Sequence, residues 1–131
     1  HWGEPLGRRL CDHPAVREAA IAAYPLPGQG HGLYAFIVAD EPLNAAAVRR
    51  WAGQELGRAA EPELVQLVEA LPRDADGRLR QDVLDLVARN LVADLDGLVG
   101  ADRDLAAATR AIVGGRLNLT DRRLETVKGT S

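Results

Sequence analysis

A single arginine, Arg78, stands directly after Gly77 in the stretch Leu71-Pro72-Arg73-Asp74-Ala75-Asp76-Gly77-Arg78-Leu79-Arg80-Gln81. The β-prone run Leu64-Val65-Gln66-Leu67-Val68 leads into Leu71-Pro72, and a polar turn then carries Gly77. The apolar positions Leu79, Val83, Leu86 and Val87 predict one side of a helix that begins straight afterwards. A cation placed at the mouth of a strand-to-helix connection is presented to something outside its own core. The chemistry open to it is electrostatic, offsetting negative charge on a bound group or on a transition state.

The other chemically equipped residues are less suggestive. Cys11, His13 and His31 offer sulfur and imidazole, but positions 11 and 13 lack metal-ligand spacing, and no metal site is expected. Asp94-Leu95-Asp96 and Asp102-Arg103-Asp104 read as helix-terminal charges, since no Glu follows at the calcium-loop position. Gly28, Gly30 and Gly32 lack the third spacing of a dinucleotide fingerprint and read as loop. A phosphate-cradling glycine-rich loop with Lys and Ser/Thr does not occur.

Elements must position these residues, and the chain supplies them in a legible order. Residues 4–11 predict a short helix, with Leu6 and Leu10 spaced i, i+4, broken by His13-Pro14. Residues 14–23 are ambiguous, because their alanines favour helix by propensity alone. Residues 25–32 read as a loop, and Leu33-Tyr34-Ala35-Phe36-Ile37-Val38-Ala39 is the clearest strand. Asn44 suits an N-cap for a helix through Leu56 that Gly57 closes, with Val48, Trp51 and Leu56 on its buried stripe. A third strand is expected over residues 63–70 and a helix over 79–90. Asp102 can cap a further helix of Leu105, Ala108, Ala111 and Ile112, stopped by Gly114-Gly115, and Leu117, Leu119, Leu124 and Val127 make a last apolar stripe.

The expectation is an α+β fold, a small sheet of about three strands flanked by helices, with a helical C-terminal extension. At 131 residues and 14.1 kDa the chain is one small domain, divided into residues 1–90 and a helical tail, 91–131, packed on the same domain. Only 4% of residues are aromatic against 47% hydrophobic, so the core is expected to be Leu, Val and Ala. A net charge of -3 argues against nucleic acid or an acidic membrane as the main partner. Cys11 is the only cysteine, which suits a reducing, cytoplasmic setting, and no apolar run approaches the ~20 residues that span a bilayer. The chain starts at His1 and contains no Met, which reads as a piece of a longer protein or a processed product.

The Leu71–Gln81 block resembles the Leu-Pro-(Arg/Lys)-x-x-x-Gly-Lys-(Ile/Leu)-x-Arg segment near the C-terminus of AMP-forming acyl-CoA synthetases and related adenylate-forming enzymes. The resemblance extends over residues 6–89. Leu10-Cys11-Asp12-His13-Pro14-Ala15-Val16-Arg17-Glu18-Ala19-Ala20 is similar to that family's Leu-x-x-His-Pro-x-Val-x-Glu-Ala-Ala block. Tyr34–Val38, Val48–Ala52 with Glu55-Leu56-Gly57, and Pro62 match its next strand, middle helix and pre-strand proline. It implies that residues 16–24 form a strand.

The resemblance also implies a function. The chain would be the mobile C-terminal lid of an acid–thiol ligase that activates a carboxylate as acyl-adenylate and passes it to a thiol. Gly77 and Arg78 would be its catalytic loop positions, with Arg78 where the family carries Lys. ATP/AMP and a CoA or phosphopantetheine thiol would be used only together with the family's large N-terminal domain, which this chain lacks; none is expected for the chain alone. It would not act as an enzyme by itself, and an acyl carrier protein is a further expected partner.

Departures from the family pattern fall on charged positions. The Pro-Asp-x-x-x-Gly-Glu stretch becomes Pro25-Leu26-Pro27-Gly28-Gln29-Gly30-His31, and Tyr-Lys-x-Pro becomes Ala59-Ala60-Glu61-Pro62. Lys128 is the only lysine, so none stands near Gly77 in sequence. Arg keeps the charge but spreads it over a planar fork, a non-conservative exchange at a tight site. The alternative reading is therefore a degenerate, non-catalytic module that docks a carrier protein or partner subunit.

Overall fold

The computed structural model describes residues 3–25, 28, 30–57 and 62–115. Helix α1 (Gly3–Leu10) leads through a turn into strand β1 (Val16–Pro25), which pairs antiparallel with β2 (His31–Ala39). Helix α2 (Ala45–Glu55) crosses over to β3 (Leu64–Leu67), parallel to β2, so β2 is the central strand of a three-stranded sheet. Helix α3 (Gln81–Ala88), a 3₁₀ turn (Val92–Asp94), α4 (Leu95–Val99) and α5 (Arg103–Gly114) complete the described chain. The expected α+β architecture with a helical extension is what forms.

Residues 16–25 settle as strand despite their alanines. The register runs from Val16 opposite Ala39 to Pro25 opposite His31, with one irregularity between Val16 and Glu18. Tertiary pairing overrides the helix propensity of the alanines. Both strands extend further into the predicted loop than expected, and Gly32 belongs to β2. A Cβ there would lie 2.6 Å from Cζ of the Tyr24 ring, so only glycine lets that ring cross the neighbouring strand.

Side-chain alternation divides the sheet into two buried faces. Leu10, Ile21, Ala35, Ile37 and Val65 meet Val48 and Ala52 of α2 on one face. Trp51 and Leu56 are half-buried around them. This is the aliphatic core that composition predicts. The other face differs: Tyr24, Tyr34 and Phe36 stand at its centre, beneath Val83, Leu84 and Val87 of α3. Tyr34 stacks on Phe36 with centroids 4.5 Å apart, and Tyr24 meets Tyr34 edge-on at 6.5 Å. Most of the chain's few aromatic rings are thus gathered where each buries a large apolar area.

Gln66 is the exception on that second face, buried on β3 among apolar groups. Its Oε1 accepts the Tyr34 hydroxyl, and its Nε2 donates to the Ile112 carbonyl of α5 at 3.0 Å. A buried amide is tolerable only when its donor and acceptor are both used, and here both are. Ile112 itself packs into the same cluster as the sheet residues.

Local caps follow the sequence closely. Asn44 Oδ1 accepts from the amides of Ala46 and Ala47, and Asp102 Oδ1 accepts from Leu105. Two boundaries differ from expectation. The third strand is shorter, Leu64–Leu67, because after Val68 donates to Ile37 the chain turns away toward Leu71-Pro72. Helix α3 starts at Gln81, because Leu79 forms a β-bridge with Arg73 across the preceding turn. The stripe of Leu117, Leu119, Leu124 and Val127 lies outside the described residues, as do Lys128 and residues 58–61. No helix among the described residues is long and apolar enough to cross a membrane.

The candidate active-site loop

The segment from Arg73 to Leu79 is a tight hairpin set between the end of the sheet and α3. Gly77 N–H donates to the Asp74 carbonyl at 3.0 Å, and Asp74 N–H donates to the Arg78 carbonyl at 2.9 Å. The Asp74 carboxylate closes the turn from inside: its Oδ1 accepts from the amides of Asp76 (2.9 Å) and Arg78 (3.0 Å). Asp is suited to this because a short side chain can reach backbone amides two residues on. Gly77 has φ +83°, the left-handed region where a side chain is strained, although a Cβ would meet nothing within 4 Å.

The loop's three arginines are used differently. Arg73 bridges two acceptors, donating from Nη1 to the Gly77 carbonyl (3.0 Å) and from Nη2 to Glu18 Oε1 on β1 (2.5 Å). Arg80 forms a fork with Asp82, Nε to Oδ1 at 3.0 Å and Nη2 to Oδ2 at 2.9 Å, and also reaches the Leu98 carbonyl at 3.2 Å. That hydrogen-bonded guanidinium holds the Asp82 carboxyl below the usual carboxylate range, against a smaller opposing effect of burial. Arg78 is exposed, and its guanidinium makes no hydrogen bond or ion pair with the described residues. Its backbone is fixed and its charge is left over.

Below the loop, Gln81 Nε2 donates to the Ile21 carbonyl of β1 (2.8 Å) and to Asp85 Oδ1 (3.0 Å), tying the start of α3 to the sheet. A cleft of about 230 Å³ lies between Cys11, Ile21, Arg73 and Gln81. Burial pushes the Cys11 thiol above its ordinary value. A larger hollow of about 510 Å³ runs between Leu67–Ala70 and Ala108–Ile112, and Arg78 does not line it.

The remaining sequence candidates stay apart from the loop. His13 Nδ1 accepts from Ala15 N–H at 3.0 Å while its ring meets Trp51 edge-on, and His31 opens β2 opposite Pro25. Among the described residues no group of three or more His, Cys, Asp or Glu is placed to hold a metal ion. Asp102 is a helix cap. Sequence reasoning missed Glu18 and Asp74 as parts of the loop. An Asp three residues before a Gly was a readable turn signal for Asp74; Glu18, fifty-five positions from Arg73, gave no local sign.

The sequence model of the AMP-binding enzyme C-terminal domain matches residues 8–78, from α1 to Arg78 itself. The chain belongs to that family. Acetyl-coenzyme A synthetase of Pseudoalteromonas translucida is 33% identical over 86 residues, covering 62% of this chain and 13% of that protein. The acetyl-coenzyme A synthetase of Shewanella frigidimarina is 30% identical over 118 residues, covering 86% of this chain and 18% of its own length. Among solved structures, a Mycobacterium tuberculosis fatty acyl CoA synthetase superposes with a TM-score of 0.57 at 26% identity, over 63% of this chain and 17% of that one. ATP-bound MatB from Rhodopseudomonas palustris gives a TM-score of 0.62 at 24% identity over 68% of this chain and 18% of that one, which bears on the fold alone.

This AMP-binding enzyme C-terminal domain thus spans less than a fifth of the length of these relatives. The family model stops at Arg78, whereas the Shewanella protein aligns over 118 residues, a length that must draw on the helices beyond the loop.

Proposed function

We propose that this chain is the mobile C-terminal lid of an AMP-forming acyl- or aryl-CoA synthetase-like ligase, with Arg78 in the place of the family's catalytic lysine. Residues 1–90 would form the lid and 91–131 a helical extension packed on it. The observation that carries the reading is the loop: its backbone is fixed from inside, Arg73 and Arg80 are engaged, and Arg78 alone of the three offers a free guanidinium.

Adenylation brings a carboxylate against the α-phosphate of ATP, and both are anionic. A cation at the reacting centre offsets that repulsion and stabilises the charge of the transition state. In this reading ATP, the acyl group and the thiol of CoA or phosphopantetheine are held mainly by a large N-terminal domain. The lid supplies Arg78 in one orientation and turns another face to the centre for thioester formation. Losing the loop cation therefore damages the first half-reaction and spares the second.

ATP–pyrophosphate exchange with a panel of carboxylates tests this in the full-length protein that carries the chain. Arg78→Ala is expected to lower exchange ~100-fold or more while thioester formation from supplied acyl-adenylate is largely kept. Arg78→Lys is expected to raise exchange, since a compact ammonium suits a tight site better than a planar fork. If neither wild type nor Arg78→Lys exchanges, and neither forms thioester from supplied adenylate, the ligase reading is sunk and a non-catalytic docking module takes its place.

A further inference from the structure

The geometry points to Asp74, Arg73 and Glu18 as positioning residues that hold the Arg78 backbone in register with the sheet for the adenylation step; this rests on the role of Arg78 given above. Two contacts converge on Gly77 and Arg78, and a third anchors them. Asp74 Oδ1 accepts from the Arg78 amide at 3.0 Å, Arg73 Nη1 donates to the Gly77 carbonyl at 3.0 Å, and the same guanidinium donates to Glu18 Oε1 on β1 at 2.5 Å. The Gly77–Arg78 peptide unit is thereby held at both ends, its amide from within the turn and its carbonyl by an arginine tied to the sheet.

The sheet end of this clamp lies on a paired strand, just past its one register irregularity. Glu18 lies on β1, paired with Val38 of the central strand, whose side chain is buried in the aromatic face. The Arg73 and Glu18 side chains are 42% and 31% exposed, so the pair is partly shielded from solvent. A long, unpaired arginine has many rotamers, and fixing its backbone is the contribution the scaffold can make to its aim. Misplacement by ~1 Å at a reacting centre is enough to cost ~100-fold.

Substitution tests the clamp in the full-length protein, with exchange kinetics and amide hydrogen exchange read together. Asp74→Ala is expected to lower kcat for ATP–pyrophosphate exchange by ~10-fold or more, with KM for ATP and carboxylate unchanged, because the contact matters only in the transition state. The Asp76 and Arg78 amides should exchange faster in that variant while core amides keep their protection. Asp74→Asn retains an Oδ1 acceptor and should stay close to wild type in both readouts. Arg73→Lys, which keeps the charge toward Glu18 but replaces the two-nitrogen fork with one compact ammonium, should fall between them.

Unchanged kcat in Asp74→Ala and Arg73→Lys, with Arg78→Ala impaired, overturns the clamp and leaves the role of Arg78 intact. An Asp74→Asn variant as impaired as Asp74→Ala overturns the acceptor argument in favour of charge. Arg78→Ala with full exchange activity overturns the role of Arg78 itself, and the positioning role with it.

Discussion

The Tyr34–Gln66–Ile112 link and the Asp74–Arg78 loop are both built from side-chain hydrogen bonds, but they are finished differently. In the buried link the amide of Gln66 is used at both ends, its oxygen by Tyr34 and its nitrogen by the Ile112 carbonyl. In the loop, Asp74 and Arg73 satisfy backbone groups and Glu18, and a complete guanidinium remains free on Arg78. The buried link holds α5 on the sheet. The exposed loop holds its own shape and is tied to β1 through Arg73 and Glu18, and the surplus charge of Arg78 is exposed. The contrast separates residues that maintain the fold from the one presented by it.

Substitutions can break this contrast, the largest effect falling on the buried link. Gln66→Leu removes the acceptor of the Tyr34 hydroxyl and the donor to the Ile112 carbonyl inside the core, and should cost about 2–3 kcal/mol in urea unfolding. Arg78→Ala should shift the same curve by no more than about 0.5 kcal/mol, as exposed substitutions usually do. If the two variants were equally destabilised, the distinction between holding and presenting would fail. Gly77→Ala should cost about 1 kcal/mol, from the left-handed backbone alone, since its Cβ meets nothing.

A similarly small effect concerns Arg80 and Asp82, the engaged neighbours of Arg78. The folded-state pKa of Asp82 is lowered, chiefly by the Arg80 hydrogen bond, so its stabilisation is present above the unfolded carboxyl value of ~3.9 and is lost as pH falls through the folded value. The Asp82 side chain is 47% exposed, so Asp82→Asn should cost only about 0.5 kcal/mol at pH 7. That difference should shrink as the unfolding curves of both proteins are measured at pH below about 4. A difference that grows in acid would mean that the carboxylate is not the stabilising form.

Much of this was legible in the residues themselves. The i, i+4 leucines of α1, the Asn44 and Asp102 caps, and the alternation of Leu33–Ala39 place their elements without help, because each signal is local. The alanine-rich β1 was not decidable in that way: its pairing to β2 is non-local, and composition pulled toward helix. The aromatic face was hidden for a related reason, since three rings scattered from Tyr24 to Phe36 meet only once the hairpin closes. Within the loop, Gly77 and Arg78 stood out, whereas the start of α3 was placed two residues early because Leu79 fits a helical stripe as well as it fits a β-bridge. The anchoring of Arg73 by Glu18 depends on sheet geometry and left no trace in spacing.

Strand β1, ten residues long, is an outer strand of the sheet, with β2 on one side only. An outer strand of that length offers a row of backbone groups on which another molecule can stack its own strand. Here Gln81, from the segment that carries Arg78, occupies the Ile21 carbonyl, while Arg73 holds only the Glu18 side chain. The segment that carries Arg78 therefore also covers one backbone acceptor of that outer strand. Loosening it would return that acceptor to solvent and to any strand that could pair there.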